Sequence, residues 1–165
     1  MRRCARGLTL LELLVTLAIV AVMMTLALPS FGSILARHRL KAAAEQLSAD
    51  LGELRLLSAH RGQALHLNLQ PGTQWCYALA TVSGCDCRVV QSCQLKTVRA
   101  SDHPGVTLLA GAELRVDARN IGPLQDSGQA LLQGSEGAQL RVGLTPLGRP
   151  KVCAPGAAVP GYPGC

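Results

Sequence analysis

The 165-residue sequence predicts an α+β protein: one long N-terminal helix, apolar in its first half and amphipathic in its second, packed on a C-terminal antiparallel β head of two sheets. Three observations carry this expectation. From Leu8 to Leu28 the only charged residue is Glu12. Between residues 40 and 54 the apolar positions recur every three or four residues, the helical period. Beyond Gly62 that period gives way to short alternating runs divided by Gly, Pro, Asp and Ser clusters. The length suits one globular domain, since two would each have a meagre core.

Taken in order, residues 1–7 form a basic leader with Arg2, Arg3 and Arg6. Without it the formal charge falls from +6 to +3, with 13 basic against 10 acidic residues. Leu8 to Pro29 as a helix extends roughly 33 Å, the thickness of a bilayer core, so residues 8–28 are the expected membrane-spanning half. Pro29 bends the helix without ending it. Residues 29–61 make the amphipathic half, with Leu40, Ala44, Leu47, Leu51 and Leu54 on one face that packs on the sheets. Arg37, His38, Arg39 and Lys41 are a solvated face, or a contact with acidic lipid headgroups. His60 and Arg61 suit a last turn and Gly62 a C-cap, so the helix ends near residue 61.

The head, residues 62–165, is expected to hold strands at Leu65–Leu69, Gln74–Ala80, Leu95–Arg99, Val106–Leu109, Glu113–Val116, Ala130–Gln133, Gln139–Leu144 and Arg149–Cys153. Six cysteines (76, 85, 87, 93, 153 and 165) follow the apolar segment, an even set that suits disulfides in an oxidising compartment. They place the head outside the cytoplasm, which charge alone leaves open, because Arg37, Arg39 and Lys41 balance the leader cations. Cys153 and Cys165 are expected to close the Pro/Gly-rich loop 154–164, which offers no evident core residue, a closure that contributes roughly 3 kcal/mol. Cys76 pairs with Cys85, Cys87 or Cys93. Zinc on Cys85, Cys87 and Cys93 lacks a second pair at suitable spacing.

No catalytic machinery is expected. The sequence contains no G-x-S-x-G, no G-x-x-x-x-G-K-[ST] and no H-E-x-x-H motif. Its four histidines are scattered, its carboxylates are unpaired in pattern, and neither a cofactor nor a metal is implied. An aromatic content of 2% argues against a base-stacking platform.

The string Gly7-Leu8-Thr9-Leu10-Leu11-Glu12-Leu13 resembles the class III leader of type IV pilins and type II secretion pseudopilins. The resemblance implies that a prepilin peptidase cuts after Gly7 and N-methylates Leu8, leaving Glu12 fifth in the mature chain and Pro29 at the family's helix kink. Leu8 stands where many members have Phe. An ordinary secretory signal would want an uninterrupted apolar core, and Glu12 interrupts this one, although Thr25-Leu26-Ala27 would be a passable cut. A charge at mid-bilayer costs about 2.5–3.5 kcal/mol, less near an edge, so Glu12 needs a partner. The resemblance supplies one: the N-terminal amine of a neighbouring subunit in a filament.

The run of strands ending in Gly148-Arg149-Pro150-Lys151-Val152-Cys153 is similar to the GspH/FimT branch of minor pseudopilins. That likeness implies a structural subunit of a type II secretion pseudopilus or type IV pilus, acting in filament priming, assembly and protein secretion. It would be a single-pass inner-membrane protein with a periplasmic head, and its partners would be prepilin peptidase, other pilins, the inner-membrane assembly platform and membrane lipid. The alternative is a FimT-like DNA-binding minor pilin for natural transformation. FimT-like proteins carry Gly-Arg-x-Arg near the C-terminus; here the last position is Lys151, which keeps the cation and loses the guanidinium fork. With Arg141, the pair Arg149 and Lys151 would make a three-cation patch for double-stranded DNA, against the plain reading of a solvated hairpin. A periplasmic enzyme or carbohydrate binder behind a cleaved signal is a third reading.

Overall fold

The helix starts where Thr9 caps it: the Thr9 hydroxyl accepts the Glu12 backbone N–H at 3.2 Å, satisfying a donor that the first turn leaves without an intrahelical partner. In the computed structural model α1 runs over Leu10–Arg61 and ends where Gly62 turns to a φ of 62°, a conformation that costs glycine nothing. Residues 9–90, 93–117, 129–156 and 159–165 are described, without the side chains of residues 26–30. Gly7 and Leu8, the expected processing site, lie outside them, as do the leader arginines and the side chain of Pro29.

The chain divides into two units, residues 1–35 and 36–165. In the first, every described side chain from Leu10 to Thr25 is exposed. Among the described residues no helix is long and apolar enough to cross a membrane. The described side chains of the apolar run stop at Thr25, short of the roughly 20 residues that a bilayer core requires, so the expected span over 8–28 is covered only in part.

In the second unit the chain after α1 forms β1 (Leu65–Gln70), β2 (Cys76–Ala80), β3 (Gln94–Arg99), β4 (Val106–Gly111), β5 (Leu114–Val116), β6 (Gln129–Gly134), β7 (Gln139–Leu144) and β8 (Pro150–Cys153). They build two four-stranded antiparallel sheets, ordered β3-β2-β1-β5 and β4-β6-β7-β8. All eight expected runs contain a strand, with differences at their ends. Gln74 lies in the turn that follows Gly72, and Trp75 falls just before β2; its carbonyl accepts the Ala100 N–H in continuation of the β2–β3 register, and its indole Nε1 donates to the Val106 carbonyl at 2.7 Å. Arg149 stays outside β8, in the turn that joins it to β7.

One core serves both sheets. Leu40, Ala43, Ala44, Leu47, Leu51 and Leu54 of α1 are each at most 2% exposed, and they join Leu65, Leu67 and Leu79 of the first sheet and Leu132, Leu140 and Val142 of the second in a single cluster. Burying a leucine contributes about 1.5–3 kcal/mol, so this stripe is what keeps the second half of the helix on the head. Polar ties set its register. Asp50 accepts the Tyr77 hydroxyl at 2.8 Å and Lys96 Nζ at 2.6 Å, and His103 Nε2 meets Gln46 Oε1 at 2.8 Å.

The two sheets differ on their outer faces. Over the first, the loop after β2 is stapled down by the disulfide Cys76–Cys87 and internally braced by Cys85–Cys93. Asn68 donates to the Val82 carbonyl and accepts the Gly84 N–H, and Gln70 donates to Asp86, so Cys76, Ala78 and Cys87 form a second small core. At the chain's other end Cys153 is bonded to Cys165. That C-terminal loop is better anchored than its composition implies: Ala154 and Val159 belong to the main core, Lys41 Nζ donates to the Pro160 carbonyl, and the Tyr162 hydroxyl donates to Glu45. The disulfide is thus not its sole fastening.

Candidate functional site

Two places in the molecule gather the residues that the sequence singles out. At the start of α1, Glu12 stands in the first turn with its side chain exposed. The helix dipole favours a carboxylate at this end, and Thr9 fixes the turn that carries it. An exposed acid in an apolar run can meet a cation brought by another molecule.

The second place is the outer face of the sheet β4-β6-β7-β8. Alternation along β7 turns Leu140, Val142 and Leu144 into the core and therefore Arg141 outward. Arg141 lies opposite Cys153 and Gly143 opposite Lys151, which makes Arg141 and Lys151 diagonal neighbours on one face. Pro150 packs toward the helix, its Cγ within 3.8 Å of a Cβ built on Gly52, which turns its β8 neighbour Lys151 outward, and Arg149 is exposed in the turn just before β8. Arg149 is held by a tight turn in which Thr145 N–H donates to its carbonyl and its own N–H donates to Thr145 Oγ1. Gly148 provides the φ of 70° that the turn needs. Among the described residues none of the three cations forms a salt bridge.

One cation joins this group without any signal in the sequence. Arg55 of α1, 93 positions from its partner, donates from Nη1 to the Gly148 carbonyl at 2.9 Å. Its Cζ would sit 3.3 Å from a Cβ at position 148, so the absence of a side chain there is what admits the guanidinium. Hydrophobic periodicity places Arg55 only on the border of the buried stripe.

Elsewhere, Glu113 accepts from Ser83 Oγ at 3.0 Å and meets His66 Nδ1 at 2.8 Å. Burial pushes its carboxyl up, but the hydrogen bonds from Ser83, His66 and the Gly84 N–H outweigh that and hold it below the usual range. The acid sits between hydroxyl and imidazole, so no base is set against the serine; the cluster ties the loop after β2 to the β4–β5 connection. Among the described residues no group of three His, Cys, Asp or Glu is placed to hold a metal ion, and Cys85, Cys87 and Cys93 are all spent in disulfides.

Residues 2–28 match the prokaryotic N-terminal methylation motif. No curated protein matches the chain, and no solved structure does. The long helix packed on an antiparallel two-sheet domain is consistent with a pilin-like α+β fold. The methylation motif implies processing by prepilin peptidase and assembly with other pilins, and it supports a type IV pilin-like pilus or pseudopilus subunit.

Proposed function

We propose that this chain is a minor pilin or pseudopilin of the GspH/FimT kind, a non-catalytic subunit that needs no cofactor and acts in priming and assembly of a type II secretion pseudopilus or type IV pilus. It is held in the inner membrane by residues 8–28, with the disulfide-bonded head in the periplasm. The observation that carries the reading is the match to the methylation motif together with Glu12 in the first turn of a capped helix. Cleavage after Gly7 would create a charged amine at Leu8. In a filament the carboxylate of Glu12 neutralises that amine on a neighbouring subunit, which offsets a charge that is costly alone in lipid. Glu12→Ala is expected to be cut normally and to fail to enter filaments. Co-purification of the mutant with other pilins at the wild-type level would sink the reading.

A second reading is favoured by Arg141 and Lys151 on one outward face and Arg149 exposed in the adjoining turn, three cations with no salt-bridge partner among the described residues. Such a strip suits the phosphates of double-stranded DNA, with a log-log salt slope of about −2.7 for three contacts. Binding that weakens with salt and disappears in Arg149→Ala/Lys151→Ala supports a DNA-uptake pilin; no binding at low salt leaves a subunit whose head contacts protein.

A further inference from the structure

We infer that Arg55, on the helix, is the fourth phosphate-contacting residue of this strip, and that the site is therefore composite, built from α1 and the β7–β8 turn together. The inference rests on the DNA-binding reading and adds a residue to it. Nη1 of Arg55 is committed to the Gly148 carbonyl, but a guanidinium carries five N–H donors in a planar fork, and the remaining ones lie one residue away from Arg149. Arg55 is exposed and makes no salt bridge among the described residues. Pro150 seated against Gly52 and Arg55 bonded at Gly148 fix the turn to the helix at two points. Arg55 is thereby bonded next to Arg149 in the chain, Lys151 follows two residues on, and Arg141 is the diagonal neighbour of Lys151 across β7 and β8. On the outward face Gly143 and Cys153, the latter bonded to Cys165, lie between Lys151 and Arg141, and neither β7 nor β8 carries an Asp or Glu. A single anionic backbone laid along this strip would meet four positive charges.

The test is duplex binding by the full-length chain in zwitterionic detergent, using a short mixed-sequence DNA over a range of salt. Four contacts give a log-log slope of about −3.6 where three give about −2.7. Arg55→Met is expected to weaken binding roughly ten-fold at low salt and to reduce the slope by about 0.9, while Arg55→Lys keeps the slope because it keeps the charge. Thermal unfolding of each variant checks that the head is intact. A wild-type slope near −2.7, or an Arg55→Met variant with unchanged affinity and slope, overturns the role of Arg55 while leaving the three-cation site standing. Failure of the wild type to bind duplex at low salt overturns the DNA reading and this inference with it.

Discussion

Asp50 sits at 2% exposure between two donors, the Tyr77 hydroxyl and the Lys96 ammonium. Burial, then the neighbouring Asp50 charge, pushes the Tyr77 hydroxyl far above its ordinary range, so it stays a donor; the hydrogen bond to Asp50 raises Lys96 in turn. Replacing Asp50 with Asn keeps the shape and removes the charge that both donors face. A loss of about 1–3 kcal/mol is expected, read as a lower urea midpoint at neutral pH. His103 makes a second prediction. Burial holds its imidazole below the usual value, against a smaller opposing pull from Asp102. The folded state therefore binds fewer protons than the unfolded one, and the neutral ring's stability is present above the unfolded pKa of 6.5 and lost as pH falls from there through the folded value. The melting temperature should drop between pH 7 and pH 5, and His103→Gln should flatten that part of the profile. None of this was legible in the sequence, where Asp50 and His103 are single polar letters; only folding sets Asp50 against strands β2 and β3 and His103 against Gln46.

At the scale of elements, local periodicity was enough to find α1 and all eight strands, because each buries one face and the side-chain period reports it. The exceptions lie at strand ends, where turns cut the runs short. Gln74 reads as strand but lies in the turn that follows Gly72, and Arg149 reads as strand but is bent into a glycine turn. The pairing of the four inner cysteines was open for a similar reason, since spacing does not say that the loop after β2 doubles back over its own sheet. The staples differ in expected effect. Cys76 and Cys87 are themselves core, at 2% and 0% exposure, so Cys76→Ser/Cys87→Ser loses loop closure and buries two hydroxyls, lowering stability by about 3–5 kcal/mol. Cys153→Ser/Cys165→Ser loses at most about 3 kcal/mol, and the loop should stay docked through Val159 and Tyr162. Urea titration measures both, and the Val159 methyl resonances report the docking; a Cys153→Ser/Cys165→Ser variant with those resonances at random-coil positions would contradict the second expectation.

On the scale of the whole molecule, the head has one core shared by both sheets through the Leu40–Leu54 stripe. Neither sheet can leave it without exposing the same helix face, which predicts a single cooperative unfolding of residues 36–165. Trp75 fluorescence and far-UV circular dichroism should give the same midpoint, and Leu51→Ala should lower both together by about 2–5 kcal/mol; separated midpoints would contradict a common core. The candidate site follows the same division between local and global information. Glu12 was visible because its motif is contiguous, and Arg149 and Lys151 because they fall in a short string resembling Gly-Arg-x-Arg, with Arg141 on the strand before it. Arg55 was invisible because its partner is 93 residues away.

The asymmetric covering of the two sheets bears on how sequences like this one can change. The first sheet is packed on both sides, by the helix within and by the stapled loop without, so a substitution on either of its faces meets packed neighbours and is costly. The second sheet is packed by the helix on its inner face; on the outward side of β7 and β8, Cys153 is buried in its disulfide with Cys165, while the side chains of Arg141 and Lys151 reach solvent. Lys can stand for Arg there, or a charge can reverse, at little cost in folding. Exchanges at Arg141 and Lys151 therefore change the surface charge of the head while leaving its shape alone.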